Sequence, residues 1–122
     1  MGKIAITSTG PDLTSDVDPR FGRAAFFLIF NPKTMDFDAI ENSQNLSLPQ
    51  GAGIQAGKII IENNVDILIT GNCGPKAFNV LQKAGIRVIV HATGAVKDVI
   101  HQYKNGELND FTETPNVEGH WT

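Results

Sequence analysis

Cysteine is almost absent from this chain: Cys73 is the single cysteine among 122 residues. One thiol cannot close an internal disulfide, and the CxxC pairs of thioredoxin-type redox sites and cysteine-only zinc sites are missing. Four-cysteine ligation of an iron–sulfur cluster by this chain is excluded on the same ground. Low cysteine content suits a reducing compartment, so we expect a cytoplasmic protein.

Long apolar runs and a strong charge excess are also missing. No run approaches the roughly 18 apolar residues of a membrane-spanning helix. The N-terminal stretch MGKIAITSTG leads directly into a strand-like pattern, without the arrangement of a signal peptide. The 13 acidic residues only slightly outnumber the 10 Lys and Arg residues. Without a broad basic face, we expect no nucleic-acid partner, and without a long apolar run, no membrane association.

Short apolar runs alternate with helix-like segments in the second half of the chain, which predicts parallel β-α-β units. The first half adds a strand and a hairpin, whose second strand is expected at a sheet edge with one face buried. We therefore predict one α/β domain over residues 1–106, with a mixed sheet of about five strands, followed by an acidic tail over residues 107–122. The predicted strands and helices are Lys3–Thr7, Ala24–Phe30, Met35–Ile40, Ile54–Asn63, Asp66–Thr70, Pro75–Ala84, Ile86–Val90 and Ala95–Lys104.

Three polar loops follow the carboxyl ends of predicted strands, where open α/β sheets bind their ligands. These loops are Ser8–Arg23, Gly71–Gly74 and His91–Gly94. If the three strands are parallel neighbours, the loops meet at one edge of the sheet. The sequence therefore predicts one binding site built from all three.

The turn Gly71–Pro75 joins a strand to a helix and contains Cys73. Pro75 suits the first position of a helix, and the glycines allow a close approach of the backbone to a ligand. A helix N-terminus offers free N–H groups and partial positive charge, so the turn suits an anion. Cys73 there is either a thiolate with a lowered pKa or a small apolar residue packed under the loop.

The segment Arg20-Phe21-Gly22-Arg23 places two arginines around an aromatic residue. Arginine suits the planar recognition of oxyanions, and Phe21 could form an apolar wall beside them. The alternative is a pair of solvated surface arginines. His91 could bind a metal or move a proton, or it could be a hydrogen-bonded loop histidine, while Thr93 and Gly94 open the next helix.

The glycines of residues 51–57 do not complete a known nucleotide motif. AGIQAGKI lacks the first glycine and the final Ser or Thr of a phosphate-binding loop, and the third glycine of GAGIQAG falls one position late for a dinucleotide fingerprint. This segment is better explained as a helix that begins at glycine and packs closely on the sheet. No catalytic motif stands out, which favours a binding protein over an enzyme.

Four motifs together resemble the dinitrogenase iron–molybdenum cofactor biosynthesis family, of the NifX and NifB C-terminal type, which includes orange-protein-like members. They are DPRFGR at residues 18–23, GAGIQ at 51–55, GPKAF at 74–78 and AGI at 84–86. The resemblance extends over residues 3–106. It implies a three-layer α/β/α domain of the ribonuclease H-like type that is not a nuclease.

The resemblance also implies a non-catalytic carrier of an anionic metal–sulfur cluster, containing molybdenum with iron or copper, held without covalent attachment. No nucleotide is expected, and the partners would be proteins that donate or accept the cluster. The candidate cluster-binding residues are Arg20, Phe21, Gly22, Arg23, Gly71, Asn72, Gly74, Thr93 and Gly94. The candidate metal ligands are Cys73 and His91.

Two other classes of function remain open from the sequence. One is a small cysteine-dependent enzyme with Cys73 as nucleophile and His91 as base. The other is a protein-interaction module that uses the edge strand Met35–Ile40 or the acidic tail.

Overall fold

The computed structural model describes residues 2–42, 51–108 and 111–114. Strand β1 and the hairpin come first, and strands and helices then alternate along the chain. In chain order the elements are β1 Lys3–Ser8, β2 Phe26–Phe30, β3 Phe37–Glu41, α1 Ala52–Glu62, β4 Val65–Ile69, α2 Pro75–Lys83, β5 Arg87–Ile89, α3 Val96–Lys104 and β6 Phe111–Thr112.

The strands form one mixed sheet in the order β3-β2-β1-β4-β5-β6. Strands β1, β4 and β5 are parallel neighbours at its centre, and β2, β3 and β6 run antiparallel to their neighbours. The carboxyl ends of the three parallel strands therefore lie together at one edge, as the sequence predicts.

Helices cover both faces of the sheet. Successive residues of a strand point to opposite faces, so Ala5 packs into the cluster that contains α1 and α2, and Ile4 and Ile6 pack into the cluster that contains α3. Strand β1 is buried from Ile4 to Ser8 because both of its faces are covered. The predicted α/β class with a mixed sheet is confirmed, and the layers are those of a three-layer sandwich. The ribonuclease H-like relationship stays a prediction.

Two predictions about the sheet edges are wrong. Phe111 and Thr112 fall in the predicted tail, yet they form β6, which pairs with β5 and adds a sixth strand. The apolar residues Met35, Phe37 and Ala39, which alternate with Asp36 and Asp38, predict that Phe37 lies on the buried face of this edge strand; instead Phe37 remains 38% exposed, while Ile40 packs on the core. Residues 109–110 and 115–122 of the predicted tail lie outside the described residues.

Helix α1 begins at Ala52, after Gly51 with a φ of 84°, two residues earlier than predicted. The glycines of this helix allow close packing, as predicted. They approach other elements, however, and not the sheet. A β-carbon at Gly57 would stand 2.9 Å from Val80 of α2. Along the described residues, no helix combines the length and apolar character that a membrane crossing requires.

Candidate functional site

The first two loops are joined by backbone and side-chain hydrogen bonds. The Phe21 N–H donates to the Asn72 carbonyl at 3.2 Å, and Asn72 Nδ2 donates to the Pro19 carbonyl at 3.0 Å. A β-carbon at Gly71 would stand 2.8 Å from the Pro19 Cα, so position 71 requires the absence of a side chain for this approach. The loop that contains Arg20 therefore lies directly against the turn that contains Cys73.

The third loop is joined to both of the others. The His91 N–H donates to the Gly71 carbonyl at 2.9 Å, and the Val17 N–H donates to the Gly94 carbonyl at 2.8 Å. The predicted convergence of the three loops at one edge of the sheet is confirmed by these bonds. His91 itself is exposed and has a φ of 69°, which places it in the left-handed region.

A buried pair of hydroxyls supports the site from below. Thr7 at the end of β1 and Thr70 after β4 are both fully buried. Thr7 Oγ1 lies 2.7 Å from the Asp18 carbonyl, which can only accept, so Thr7 donates there and accepts from Thr70 Oγ1 at 2.9 Å. This series of hydrogen bonds links the first loop to two neighbouring strands, and it leaves neither of the two buried hydroxyls unpaired.

The Asp18 carboxylate organises the loop that carries the arginines. It is only 8% exposed and accepts hydrogen bonds from the Arg20 N–H at 3.1 Å and the Ala25 N–H at 3.3 Å. Arg20 is exposed, and its guanidinium has no ion-pair partner within the described part of the chain. Arg23 is half-buried and has an interaction partner. The loop thus holds Arg20 at the surface of the site with its charge available.

Phe21 does not form an apolar wall of the site, and that prediction is wrong. Its side chain is 1% exposed and packs in the core, with its ring centroid 5.6 Å from that of Phe27. The ring anchors the loop to the layer of α1 and α2. The neighbouring Gly22 is buried against α1, where a β-carbon would stand 2.9 Å from backbone atoms of Gly53. Phe21 and Gly22 therefore position the two arginines.

Cys73 lies in the core beneath the turn. Its side chain is fully buried in the cluster that contains α1 and α2, and Sγ is 3.8 Å from the Gly74 carbonyl. Desolvation by burial raises the pKa of the thiol from 9.0 to about 12. Of the two alternatives that the sequence leaves open, the thiolate with a lowered pKa is therefore wrong for this structure, and the small apolar residue packed under the loop is the one observed.

The N-termini of α2 and α3 differ in what their N–H groups contact. At α3 the Val96 and Lys97 N–H groups donate to the Ser15 and Leu13 carbonyls, at 2.8 and 2.9 Å. The start of α3 thus binds the first loop of the same chain. At α2, Gly74 is the cap without a side-chain hydrogen bond and Pro75 is the first residue. The anion site expected of a helix N-terminus is consequently favoured at α2 and disfavoured at α3.

Asn42 also supports the site, although no sequence motif indicates it. It is fully buried, and its Nδ2 donates to the Gly22 carbonyl at 3.2 Å and the Ala24 carbonyl at 2.8 Å. An asparagine at the end of an edge strand is indistinguishable in sequence from a turn residue. Only the three-dimensional contact shows that it ties the arginine loop to β3.

The chemical groups of the site suit an anion better than a bare metal ion. In the described part of the chain, no three His, Cys, Asp or Glu side chains group so as to hold a metal ion. The groups at this surface are the Arg20 guanidinium, the start of α2 and the exposed residues Thr93 and Gly94, together with His91, which is exposed but has an interaction partner. Such an arrangement suits recognition of a preformed anion by charge and N–H groups, with few direct bonds to a metal.

Known proteins share this architecture. The chain has a TM-score of 0.91 and 38% identity to the apo form of the orange protein from Desulfovibrio gigas, covering 96% of this chain and 98% of that one. A NifB-type protein of the DUF35 family from Thermotoga gives a TM-score of 0.81 and 31% identity, over 96% of this chain and 100% of that one. An uncharacterized protein of Methanocaldococcus jannaschii is 30% identical over 98 residues, which cover 78% of this chain and 82% of its length. The model of the dinitrogenase iron-molybdenum cofactor family matches residues 2–106, and the chain belongs to that family.

Proposed function

We propose that this protein is a non-catalytic carrier that binds an anionic metal–sulfur cluster, containing molybdenum with iron or copper, in the cytoplasm. One observation carries the proposal: three bonded loops bring Arg20, which forms no ion pair among the described residues, and the start of α2 to one edge, where no group of metal-chelating side chains is described. A preformed cluster needs charge neutralisation and N–H donors more than a full set of protein ligands.

Each part of the site has a role in this proposal. Arg20 and Arg23 neutralise charge on the cluster, and backbone N–H groups near Gly74 donate to its sulfides, with Gly71 and Asn72 bordering the cluster beside them. Thr93 and Gly94 border the bound cluster from the third loop. His91 is exposed and remains a proposed metal ligand through its ring.

Cys73 remains a proposed ligand only on one condition. A metal bond from its sulfur requires the turn to open and the thiol to lose its proton, since burial raises the pKa to about 12. The same pKa speaks against a cysteine-dependent enzyme, because a nucleophilic cysteine needs an accessible thiolate at neutral pH. The carrier is therefore favoured over the enzyme.

The relatives support a cluster as the cargo. The matching family is named for the dinitrogenase iron–molybdenum cofactor, and one similar structure is the apo form of an orange protein. A carrier exchanges its cargo with other proteins, so we also propose donor and acceptor proteins as partners.

The test is reconstitution of the purified protein with tetrathiomolybdate and copper, and separately with isolated iron–molybdenum cofactor. We expect a coloured complex that survives gel filtration with one of the two. Replacing both Arg20 and Arg23 by Gln should weaken binding by roughly 10-fold or more, since a charge-assisted hydrogen bond contributes about 1.5–3 kcal/mol.

Arg87→Gln is the control. Arg87 begins β5, so it lies at the amino ends of the parallel strands, away from the loops at their carboxyl ends, and its guanidinium stacks 3.7 Å from the centre of the Phe111 ring. The Arg87→Gln variant should bind the cargo as the wild type does. The proposal fails if neither cargo forms a stable complex, or if the Arg20 and Arg23 variant binds as well as Arg87→Gln.

A further inference from the structure

An apolar groove with a basic rim runs along α3, on the sheet face opposite α1 and α2. Its volume is about 290 Å³. The apolar side chains come from α3, from the first loop and from the turn between β2 and β3, and the basic ones come from α3 alone. The lining residues are Leu13, Met35, Lys97, Ile100, His101 and Lys104.

The rim is a stripe of basic side chains on one side of the helix, with Lys97 and Lys104 as its two lysines. Lys97, His101 and Lys104 are spaced by four and three residues, which places them on one helical face, and all three are exposed. Asp98 is turned by about 100° from Lys97 but stands three residues before His101, so Lys97 and Lys104 are the members of the stripe that lie away from it. Within the described residues, no carboxylate forms an ion pair with Lys97 or Lys104. This basic stripe therefore stands out on a chain whose net charge is −3.

The apolar floor is recessed, which selects among possible occupants. Ile100 is 5% exposed, and Leu13 and Met35 are half-buried against the core. A membrane surface is bound by apolar side chains that protrude, whereas a recessed floor receives an apolar side chain from a partner. Together with the basic rim, this favours a peptide segment that has apolar anchors between carboxylates.

We propose that this groove is the docking surface for an acidic amphipathic segment of a partner protein. The surface is continuous with the arginine loop. The Leu13 carbonyl accepts from the Lys97 N–H at 2.9 Å, and the same loop continues to Arg20. A partner bound in the groove would contact the first loop, which also contributes Arg20 to the proposed cargo site. Such a position suits a partner that exchanges cargo with this protein. The docking itself does not depend on the identity of the cargo.

The test uses a labelled helical peptide with leucines at one face and glutamates beside them, and a second peptide in which lysines replace the glutamates. Binding is measured by fluorescence anisotropy at low and high salt. We expect the acidic peptide to bind, with an affinity that falls as salt rises, and the basic peptide not to bind.

The variant Lys97→Glu/Lys104→Glu should weaken binding of the acidic peptide by about 10-fold or more, because two attractive pairs become repulsive. The matched control is Lys58→Glu/Lys83→Glu, which makes the same charge change on exposed residues of α1 and α2. Leu13→Ser should weaken binding without changing its salt dependence. Cargo binding by the Lys97→Glu/Lys104→Glu variant should equal that of the wild type. The docking proposal and the proposed cargo binding can therefore fail independently of each other.

Four outcomes would overturn the proposal. The first is that the two lysine variants bind the acidic peptide with equal affinity, and the second is that the protein binds anionic lipid vesicles but not the peptide. The third is a self-association on gel filtration that only the Lys97 and Lys104 variant loses. The fourth is peptide binding that requires removal of residues 115–122. The last two would assign the groove to a second copy or to the chain's own C-terminal segment.

Discussion

Cys73 stands one residue before the cap of α2, where the partial positive charge of a helix N-terminus favours a thiolate. Burial opposes this and is the larger effect. A helix terminus contributes at most about 2 kcal/mol, whereas the rise of the thiol pKa from 9.0 to about 12 corresponds to about 4 kcal/mol. The residue type and its position before a helix therefore predict reactivity correctly only if the side chain reaches solvent.

The raised pKa makes stability depend on alkaline pH. Because the folded-state pKa is above the unfolded one, the stabilising contribution of the neutral thiol is complete below pH 9 and is lost as pH rises toward 12. We expect the free energy of unfolding to fall by up to about 4 kcal/mol more in the wild type than in Cys73→Ala over this range. Urea unfolding of both proteins at several pH values measures the difference, and parallel curves would contradict it.

At the residue scale the sequence predicts charge better than burial. Arg20 is found exposed at the site, because an arginine in a polar loop rarely enters a core. The neighbouring Phe21 points into the core, so the exposed position and the buried position are only one residue apart in the chain. That offset is set by the local bond of the Asp18 carboxylate to the Arg20 N–H and by the bond of Asn72 to the Pro19 carbonyl, and the second of these joins residues far apart in the chain.

At the scale of elements, the periodicity of apolar residues predicts helices and central strands to within about two residues, since both faces of the sheet are buried. The edges are predicted less well. Strand β6 has only two residues and is defined by its pairing with β5, which no local pattern indicates. Asn42 carries no local signal for the same reason, because its Nδ2 donates to the carbonyls of residues 22 and 24, which lie in another loop.

Gly71 decides how closely the first and second loops approach. In Gly71→Ala the new β-carbon would lie 2.8 Å from the Pro19 Cα, a backbone atom that cannot turn aside. We expect a loss of stability of about 1–3 kcal/mol and weaker cargo binding, because Arg20 moves away from the turn. Thermal unfolding and cargo titration measure the two effects.

Gly57→Ala is the control at the level of helix packing. Its β-carbon would meet the side chain of Val80 at 2.9 Å, at the contact between α1 and α2 and away from the three loops. It should leave cargo affinity unchanged whatever its effect on stability. Equal loss of cargo binding in both variants would show that Gly71 acts through general stability alone.

For the whole molecule, the central question is whether the site exists before the cargo arrives. The bonds that join the three loops are all made within the chain, and the similar orange protein was solved in its apo form. Binding to a preformed site should raise the free energy of unfolding by about 2.7 kcal/mol when free cargo is 100 times the dissociation constant. For a chain of this size we expect the melting temperature to rise by roughly 10 °C.

The far-ultraviolet circular dichroism should stay unchanged on loading, because no helix or strand has to form. Hydrogen exchange should slow mainly in residues 18–23, 71–74 and 91–94, where the cargo contacts the backbone. A gain of helix or strand signal on loading, or protection that spreads through β1 and β4, would instead show that the cargo completes the fold. At the same cargo concentration, the Arg20 and Arg23 double variant should show at most about half of the rise in melting temperature and weaker local protection, since its affinity is lower and both effects depend on bound cargo.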